Sequence, residues 1–398
     1  MRLVVRAAEV SGATRLLGVV GAHVDSCLYH GQASIDFVDR LIAGEARVSV
    51  PTTLNVGGID LLHPELFRGD PDLAAHSAAL MERYRALGAR PTYTCAPYQL
   101  PDARPSLGQH VAWGESNAIA FANSVLGART NRYGDFIDIA AAITGRVPDV
   151  GLHRDEARRA TFILRLADDV PAPLRDDDSL FGVLGIVLGR RAGSAVAAID
   201  GLPAEQSEDR LKALAAAAAS SGAVAMFHVI GSTPEASSVD PDLPVEEVTF
   251  AELRSARREL STGLDRPLSA VSLGTPHASM AQLRRYAELL GGAAVHPEVE
   301  CLVSTGRDVL AEAEAEGVAG TLRRAGVELL TDTCSYIAPI LRPHDGMVMT
   351  DSGKWAYYAP GNIGARVVYA TPAECLDSAV VGRVMRHDGA WGAEWSTA

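Results

Sequence analysis

The second half of the chain sets the strongest constraint on the fold. Short apolar runs at residues 195–199, 223–230, 270–273, 301–303, 327–330 and 366–369 alternate with stretches of helical spacing, such as Met280, Leu283, Tyr286 and Leu290. Alternating strands and helices build a parallel sheet covered on both faces. Ligands of such sheets bind beyond the carboxyl ends of the strands. Function is therefore sought in the segments that follow strands: Gly274-Thr275-Pro276-His277, Ser304-Thr305-Gly306-Arg307 and Asp332-Thr333-Cys334.

At 398 residues the chain has room for two or three domains, or one large α/β body. The most polar break, residues 167–179, separates a Gly/Asn-rich part (1–178) from the βα-repeat part (179–398) that carries Cys334 and Cys375. These boundaries are approximate, and each part can be discontinuous. Before the break lie polar, Gly-bearing runs, such as Val20-Gly21-Ala22-His23-Val24-Asp25-Ser26 and Trp113-Gly114-Glu115-Ser116-Asn117. They suit irregular loops that bring backbone close to a ligand.

The 36 basic and 49 acidic residues leave a formal charge of −13. An acidic surface repels phosphate backbones and anionic lipid, so neither nucleic acid nor membrane is expected as a partner. No apolar run reaches the roughly 18 residues of a membrane span. Met1-Arg2-Leu3-Val4-Val5-Arg6 lacks the apolar core and cleavage site of a signal peptide, so a cytoplasmic protein is expected. Five cysteines without a secretion signal favour free thiols or metal ligation over disulfides. The sequence lacks a Walker loop, a G-x-G-x-x-G after a strand, H-E-x-x-H, C-x-x-C and G-x-S-x-G.

Three thiols have contexts suited to chemistry. Cys95 precedes Pro97, which ends any strand, and Cys334 follows the strand at 327–330. Cys375 opens a helix whose start is marked by the capping box Thr371-Pro372-Ala373-Glu374. Three thiolates at strand ends and a helix start can hold an iron centre with one open position. Small buried hydrophobes are the alternative, and packing is the reading for Cys301. His23, Cys27 and His30, at i, i+4 and i+7, would share a helix face fit for zinc, or else lie in a loop.

Lysine occurs only as Lys212 and Lys354. Lys354, in Asp351-Ser352-Gly353-Lys354, could hold a carboxylate or phosphate, as could Ser304 and Arg307 at a helix start; a capped turn with a solvated charge explains both equally. His277 could be a base or a structural histidine. Glu115, Asn117, Asn123, Asn131 and Arg132 crowd one stretch, for carboxylate recognition or for turns and caps.

These residues resemble the large, catalytic part of the aconitase X family. The likeness is carried by Ala22-His23-Val24-Asp25-Ser26-Cys27, Val50-Pro51-Thr52-Thr53-Leu54-Asn55-Val56-Gly57, Thr94-Cys95-Ala96-Pro97-Tyr98-Gln99, Gly114-Glu115-Ser116-Asn117-Ala118, residues 122–132, Gly274-Thr275-Pro276-His277, Asp332-Thr333-Cys334 and Ser352-Gly353-Lys354. The resemblance implies an α/β fold of stacked three-layer α/β/α domains with mainly parallel sheets. It implies a hydro-lyase with an iron–sulfur cluster, such as [2Fe–2S], or a mononuclear iron on Cys95, Cys334 and Cys375. The implied reaction is dehydration of cis-3-hydroxy-L-proline to a pyrroline-2-carboxylate, with mevalonate 5-phosphate or another hydroxy acid as the alternative substrate. Expected catalytic residues are His277 and Lys354. Expected substrate contacts are His23, Ser26, Asn55, Glu115, Ser116, Asn117, Asn131, Arg132, Ser304 and Arg307. The family also uses a small swivelling domain with a serine-bearing loop; this sequence has none, so a separate small subunit is expected. A metal-free binding module on the same scaffold and a zinc hydrolase using His23, Cys27 and His30 are the rival readings.

Overall fold

The parallel pattern expected from the second half recurs in three sheets. A computed structural model describes residues 1–263, 267–343, 345–387 and 389–392. The first sheet has β2 (Ala22–Val24), β3 (Thr52–Leu54) and β4 (Ala112–Trp113), in the order β3-β2-β4. An antiparallel ribbon of β1 (Leu16–Gly18) and β5 (Arg146–Pro148) accompanies it. The second sheet has β6 (Phe162–Leu166), β7 (Ala197–Asp200), β8 (Phe227–Val229) and β9 (Val245–Val248), in the order β8-β7-β6-β9. The third has β10 (Leu268–Ala278), β11 (Glu300–Thr305), β12 (Val327–Leu330), β13 (Met347–Thr350) and β14 (Arg366–Tyr369), in the order β12-β11-β10-β13-β14. Every pairing within these three sheets is parallel. The polar break at 167–179 lies between β6 and β7, two neighbours in one sheet.

One core lies between the second and third sheets, with Leu164 and Ile199 from the one and Ala270, Val348 and Val367 from the other; a second holds the remaining inward residues of the third sheet, and a third belongs to the first sheet. What joins them is the helix Glu208–Ser221, which packs against the helices Asp178–Ala192, Ser116–Ser124 and Gly353–Ile363. Its alanine run gives smooth, thin sides, and Leu211, Lys212, Leu214 and residues 215–220 are buried. Ser207 caps its start by accepting from the Arg210 N–H. The fit against Asp178–Ala192 is backbone to backbone. A methyl added at Gly185 would lie 2.6 Å from the Leu214 carbonyl oxygen, and one at Gly189 would lie 2.7 Å from that of Ala218. The capping box expected at Thr371 is present, with Pro372 opening the helix Pro372–Val381.

Gly189→Ala tests this contact. Alanine gains about 1 kcal/mol in helix propensity, but overpacking against a carbonyl that cannot move costs about 1–3 kcal/mol. The urea midpoint should fall with an unchanged m-value. A midpoint at or above wild type would show that the two helices do not touch at this depth.

Candidate active site

The carboxyl ends of the first and third sheets converge. In the first sheet, β2, β3 and β4 lead directly into Asp25, Asn55 and Gly114-Glu115. Asn55 donates to Asp25 Oδ1 and, over 3.0 Å, to Glu115 Oε2. Glu115 is also the N-cap of the helix Ser116–Ser124, accepting from the Asn117 N–H. The Asn117 side chain donates to Glu115 Oε1 at 2.7 Å and to the Cys95 carbonyl at 3.0 Å, while Tyr98 donates its hydroxyl to Asn117.

The third sheet supplies the counter-charge. Beyond β13, Ser352 caps the helix Gly353–Ile363. Lys354, in its first turn, reaches Glu115 Oε1 at 2.6 Å, and both residues are buried. Burial alone would raise the Glu115 pKa; Lys354 outweighs it and holds the carboxyl down at about 2. Asp25 moves the other way. Burial and the negative Glu115 push it up to about 8, so it carries a proton at neutral pH. Asp138 anchors this loop, accepting from the Asp25 N–H at 2.7 Å and the Ser26 hydroxyl at 3.0 Å.

Beyond β12, Cys334 meets Cys95. Their sulfurs lie within 4.8 Å of one another; burial opposes ionisation, but the neighbouring Cys334 thiol, His277 and Lys354 bring Cys95 down to about 6. Cys334, the proton holder, shifts upward. The His277 N–H donates to Cys95 Sγ at 3.3 Å. His277 Nε2 faces the Thr333 carbonyl, which only accepts, so that nitrogen carries the ring proton; Nδ1 then accepts from the Thr94 hydroxyl at 3.0 Å. The donor atoms of Cys95, His277 and Cys334 lie within 4.8 Å of one another, the one such convergence among the described residues. Two sulfurs with an imidazole beside them fit iron or zinc. Four buried polar atoms at these sheet ends lack a protein partner: His23 Nε2, Asn55 Oδ1, Ser304 Oγ and Thr333 Oγ1. Such atoms are rare in folded interiors and point to a bound group.

Several expected residues lie elsewhere. Cys375 is not part of the thiol group: its helix turn faces the core of the third sheet, which contains Leu283, Val368 and Cys301, and burial drives its thiol upward. The capping box fixed its place along the helix but not the direction it faces. Ser26 is spent on Asp138 and Tyr84. Asn131 holds the loop at residues 150–152 through the Val150 carbonyl and the Leu152 N–H. Arg132 is exposed. Arg307 is occupied by Asp332. His23 sits in β2, Cys27 in the following turn and His30 in an exposed loop, so the helical zinc face does not form. His23, Asn55, Glu115, Ser116, Asn117, Ser304, His277 and Lys354 remain at the converging ends. Asp25 was not singled out from sequence, although its position directly after a strand was the available signal.

Profiles of the aconitase X first, second and third domains match residues 1–156, 160–259 and 268–381. The cis-3-hydroxy-L-proline dehydratase of Pseudomonas aeruginosa is 41% identical over 407 aligned residues, covering 99% of this chain and 69% of that protein. The phosphomevalonate dehydratase large subunit of Methanosarcina mazei is 35% identical, covering 96% of this chain and 92% of that one. The crystal structure of Thermococcus kodakaraensis aconitase X (holo-form) superposes with a TM-score of 0.84 at 33% identity, covering 95% and 94% of the two chains.

Two outcomes follow from the electrostatics. Lys354→Met leaves Glu115 buried without its cation and should lower stability by about 3–5 kcal/mol, most of which the double variant Glu115→Gln/Lys354→Met recovers; equal stability of wild type and Lys354→Met in urea denaturation would refute the pair. The unfolded chain loses the Asp25 proton near the ordinary carboxyl value of 3.8, the folded chain only near 8. Between those values the folded state binds more protons, so this group's contribution weakens as pH rises. Asp25→Asn should flatten the decline between about pH 4 and pH 8, read from unfolding midpoints at each pH.

Proposed function

The chain belongs to the aconitase X family, and from that premise we propose that it is the large chain of a hydro-lyase acting on cis-3-hydroxy-L-proline. The observation that carries the substrate is the buried Glu115–Lys354 ion pair, with the protonated Asp25 at its side, beside the two thiols. A zwitterion, with its ammonium towards Glu115 and its carboxylate towards Lys354, matches that pair, and a phosphate dianion does not. Mevalonate 5-phosphate would need concentrated positive charge, whereas Lys354 shares its single charge with Glu115 and Arg307 is paired with Asp332.

Dehydration takes the proton from C2 and expels hydroxide from C3. Iron on Cys95 and Cys334, with His277 beside them, would supply a Lewis acid for the departing hydroxyl, either as a cluster or as a single ion. Lys354 receives the substrate carboxylate and steadies the enolate-like charge that builds as C2 loses its proton. Glu115 and Asn55 face the ring ammonium. His23 presents an unpartnered Nε2. Burial pulls its pKa down to about 4, so the imidazole is neutral and able to accept a hydrogen bond. His277, with both ring nitrogens engaged, orients Cys95. The C2 proton is left to a group from a second chain, in keeping with the family's serine-bearing small domain. The chain spans 92% of a relative called a large subunit and 69% of the hydroxyproline dehydratase.

The test is a turnover assay on anaerobically iron-loaded protein, with and without a small-domain chain of the family supplied in trans. Turnover of cis-3-hydroxy-L-proline that requires the added chain is expected. Turnover of mevalonate 5-phosphate alone would overturn the substrate, and full activity of this chain by itself would overturn the partner. In the same preparations, Cys95→Ala should lose the iron while Cys375→Ala keeps it; iron at full stoichiometry in Cys95→Ala would remove that residue from the donor set.

A further inference from the structure

We propose that Arg307 is a positioning residue that sets the separation of the Cys95 and Cys334 sulfurs by clamping the two backbone kinks that present them. This rests on the reading of those sulfurs as metal donors. Each cysteine follows, two positions on, a non-glycine residue in the left-handed region: Tyr93 at φ 41° and Asp332 at φ 59°. That conformation is strained for L-residues, most of all for one as bulky as tyrosine, and persists only where the surroundings hold it.

Arg307 touches both kinks. It begins the helix Arg307–Ala315 that follows β11. Its Nε and Nη2 donate to the two oxygens of Asp332 at 2.6 and 2.5 Å, a forked pair. Its guanidinium carbon lies 4.9 Å from the centre of the Tyr93 ring. One flat cation thus grips a carboxylate through its edge and a ring through its face, which a lysine ammonium cannot do. Other bonds complete the hold. The Leu61 N–H donates to Asp332 Oδ2 at 3.0 Å, the Gly57 N–H to the Asp332 carbonyl at 2.7 Å, and the Tyr93 hydroxyl to the Met81 carbonyl at 3.2 Å. His277 ties the chain just beyond the kinks, through Thr94 and the Thr333 carbonyl; Arg307 joins the kinked residues themselves, side chain to side chain. Two residues of chain reach about 7 Å, so a drift of about 20° at either kink would carry a sulfur by roughly 2 Å. Metal–ligand distances tolerate about 0.2 Å.

The test needs no turnover. Metal-free protein is titrated anaerobically with Co²⁺, and the thiolate-to-cobalt charge-transfer band gives both affinity and ligand geometry. Arg307→Met should weaken Co²⁺ binding at least tenfold, in the range found for residues that orient metal ligands, and shift the band. Arg307→Lys, which keeps the charge but not the fork, should fail to restore it. Asp332→Asn tolerates the left-handed backbone and removes only the charge partner; it should fall between, and it carries the test if Arg307→Met does not fold, as judged by thermal unfolding. Wild-type affinity and band position in a folded Arg307→Met or Asp332→Asn would overturn the clamp. Failure of the wild-type chain itself to bind Co²⁺ through thiolates would overturn the metal-site reading beneath it.

Discussion

A glutamate and a lysine withdrawn from water fix the spacing of the site. Removing such ions from solvent costs several kcal/mol each, and their attraction repays this only with good geometry and further hydrogen bonds. Glu115 has both, being held by Lys354, Asn55 and Asn117 at once. The helix dipole treats the partners differently. Glu115 caps a helix start, where negative charge is favoured; Lys354 lies in a first turn, where positive charge is not. Lys354 therefore depends on Glu115, and the pair depends on its two helices staying in place. Both lean on the buried helix Glu208–Ser221, so the packing of the second sheet's layer governs the electrostatics between the first and third.

The strand–helix rhythm in the sequence locates β7, β8, β10, β11, β12 and β14, but three strands of the same sheets escape it. β9 reads Val-Glu-Glu-Val and is largely exposed, and β6 is interrupted by the exposed Arg165, so neither gives a clean apolar run. β13 is two methionines around a valine, a pattern with weak strand preference. In the first part, strands of two or three residues are hidden among glycines and polar residues that read as loops. The candidate site was legible where it follows the strands of the third sheet, at Cys334, His277 and Lys354; Cys95 was picked out as a strand-end residue, but residues 91–94 before it are irregular and the nearest ladder contact is an isolated bridge at Arg90. The site was illegible where the answer depended on how an element is rotated in the fold. Cys375 illustrates this, since no local signal says which side of a helix turn faces a crevice and which a core.

Scarcity proved a better guide than net charge. A chain with 13 excess negative charges retains two lysines, and both are buried at the junction of the sheets. Lys212 donates to the Gln282 side chain at 2.5 Å and the His277 carbonyl at 3.2 Å, and pairs with Asp209 at 2.8 Å. Three acceptors in three directions suit a compact ammonium and not a flat guanidinium fork. Gln99 donates to the same His277 carbonyl, so the peptide that follows His277 is held from two sides, next to the one whose N–H meets Cys95. The arginines, by contrast, are mostly spent on surface carboxylates, pairs that contribute little to stability.

The crevice is also costly, and that cost bears on how it works. Each buried polar atom without a partner is unfavourable by about 1–3 kcal/mol, and His23, Asn55, Ser304 and Thr333 each present one. Two left-handed residues, Tyr93 and Asp332, add strain at the approaches to the sulfurs. These terms can be tolerated because the three cores surrounding the crevice are tightly packed and the loops between them are bonded across domains, as where Asp60 accepts from both the N–H and the hydroxyl of Thr331. A rigid surround keeps donors and acceptors aimed where a ligand will meet them, so little reorganisation is left to the moment of binding. The unsatisfied atoms are then a measure of preorganisation: the folded chain holds its polar groups in the arrangement a small charged ring would satisfy, and forgoes pairing them with one another.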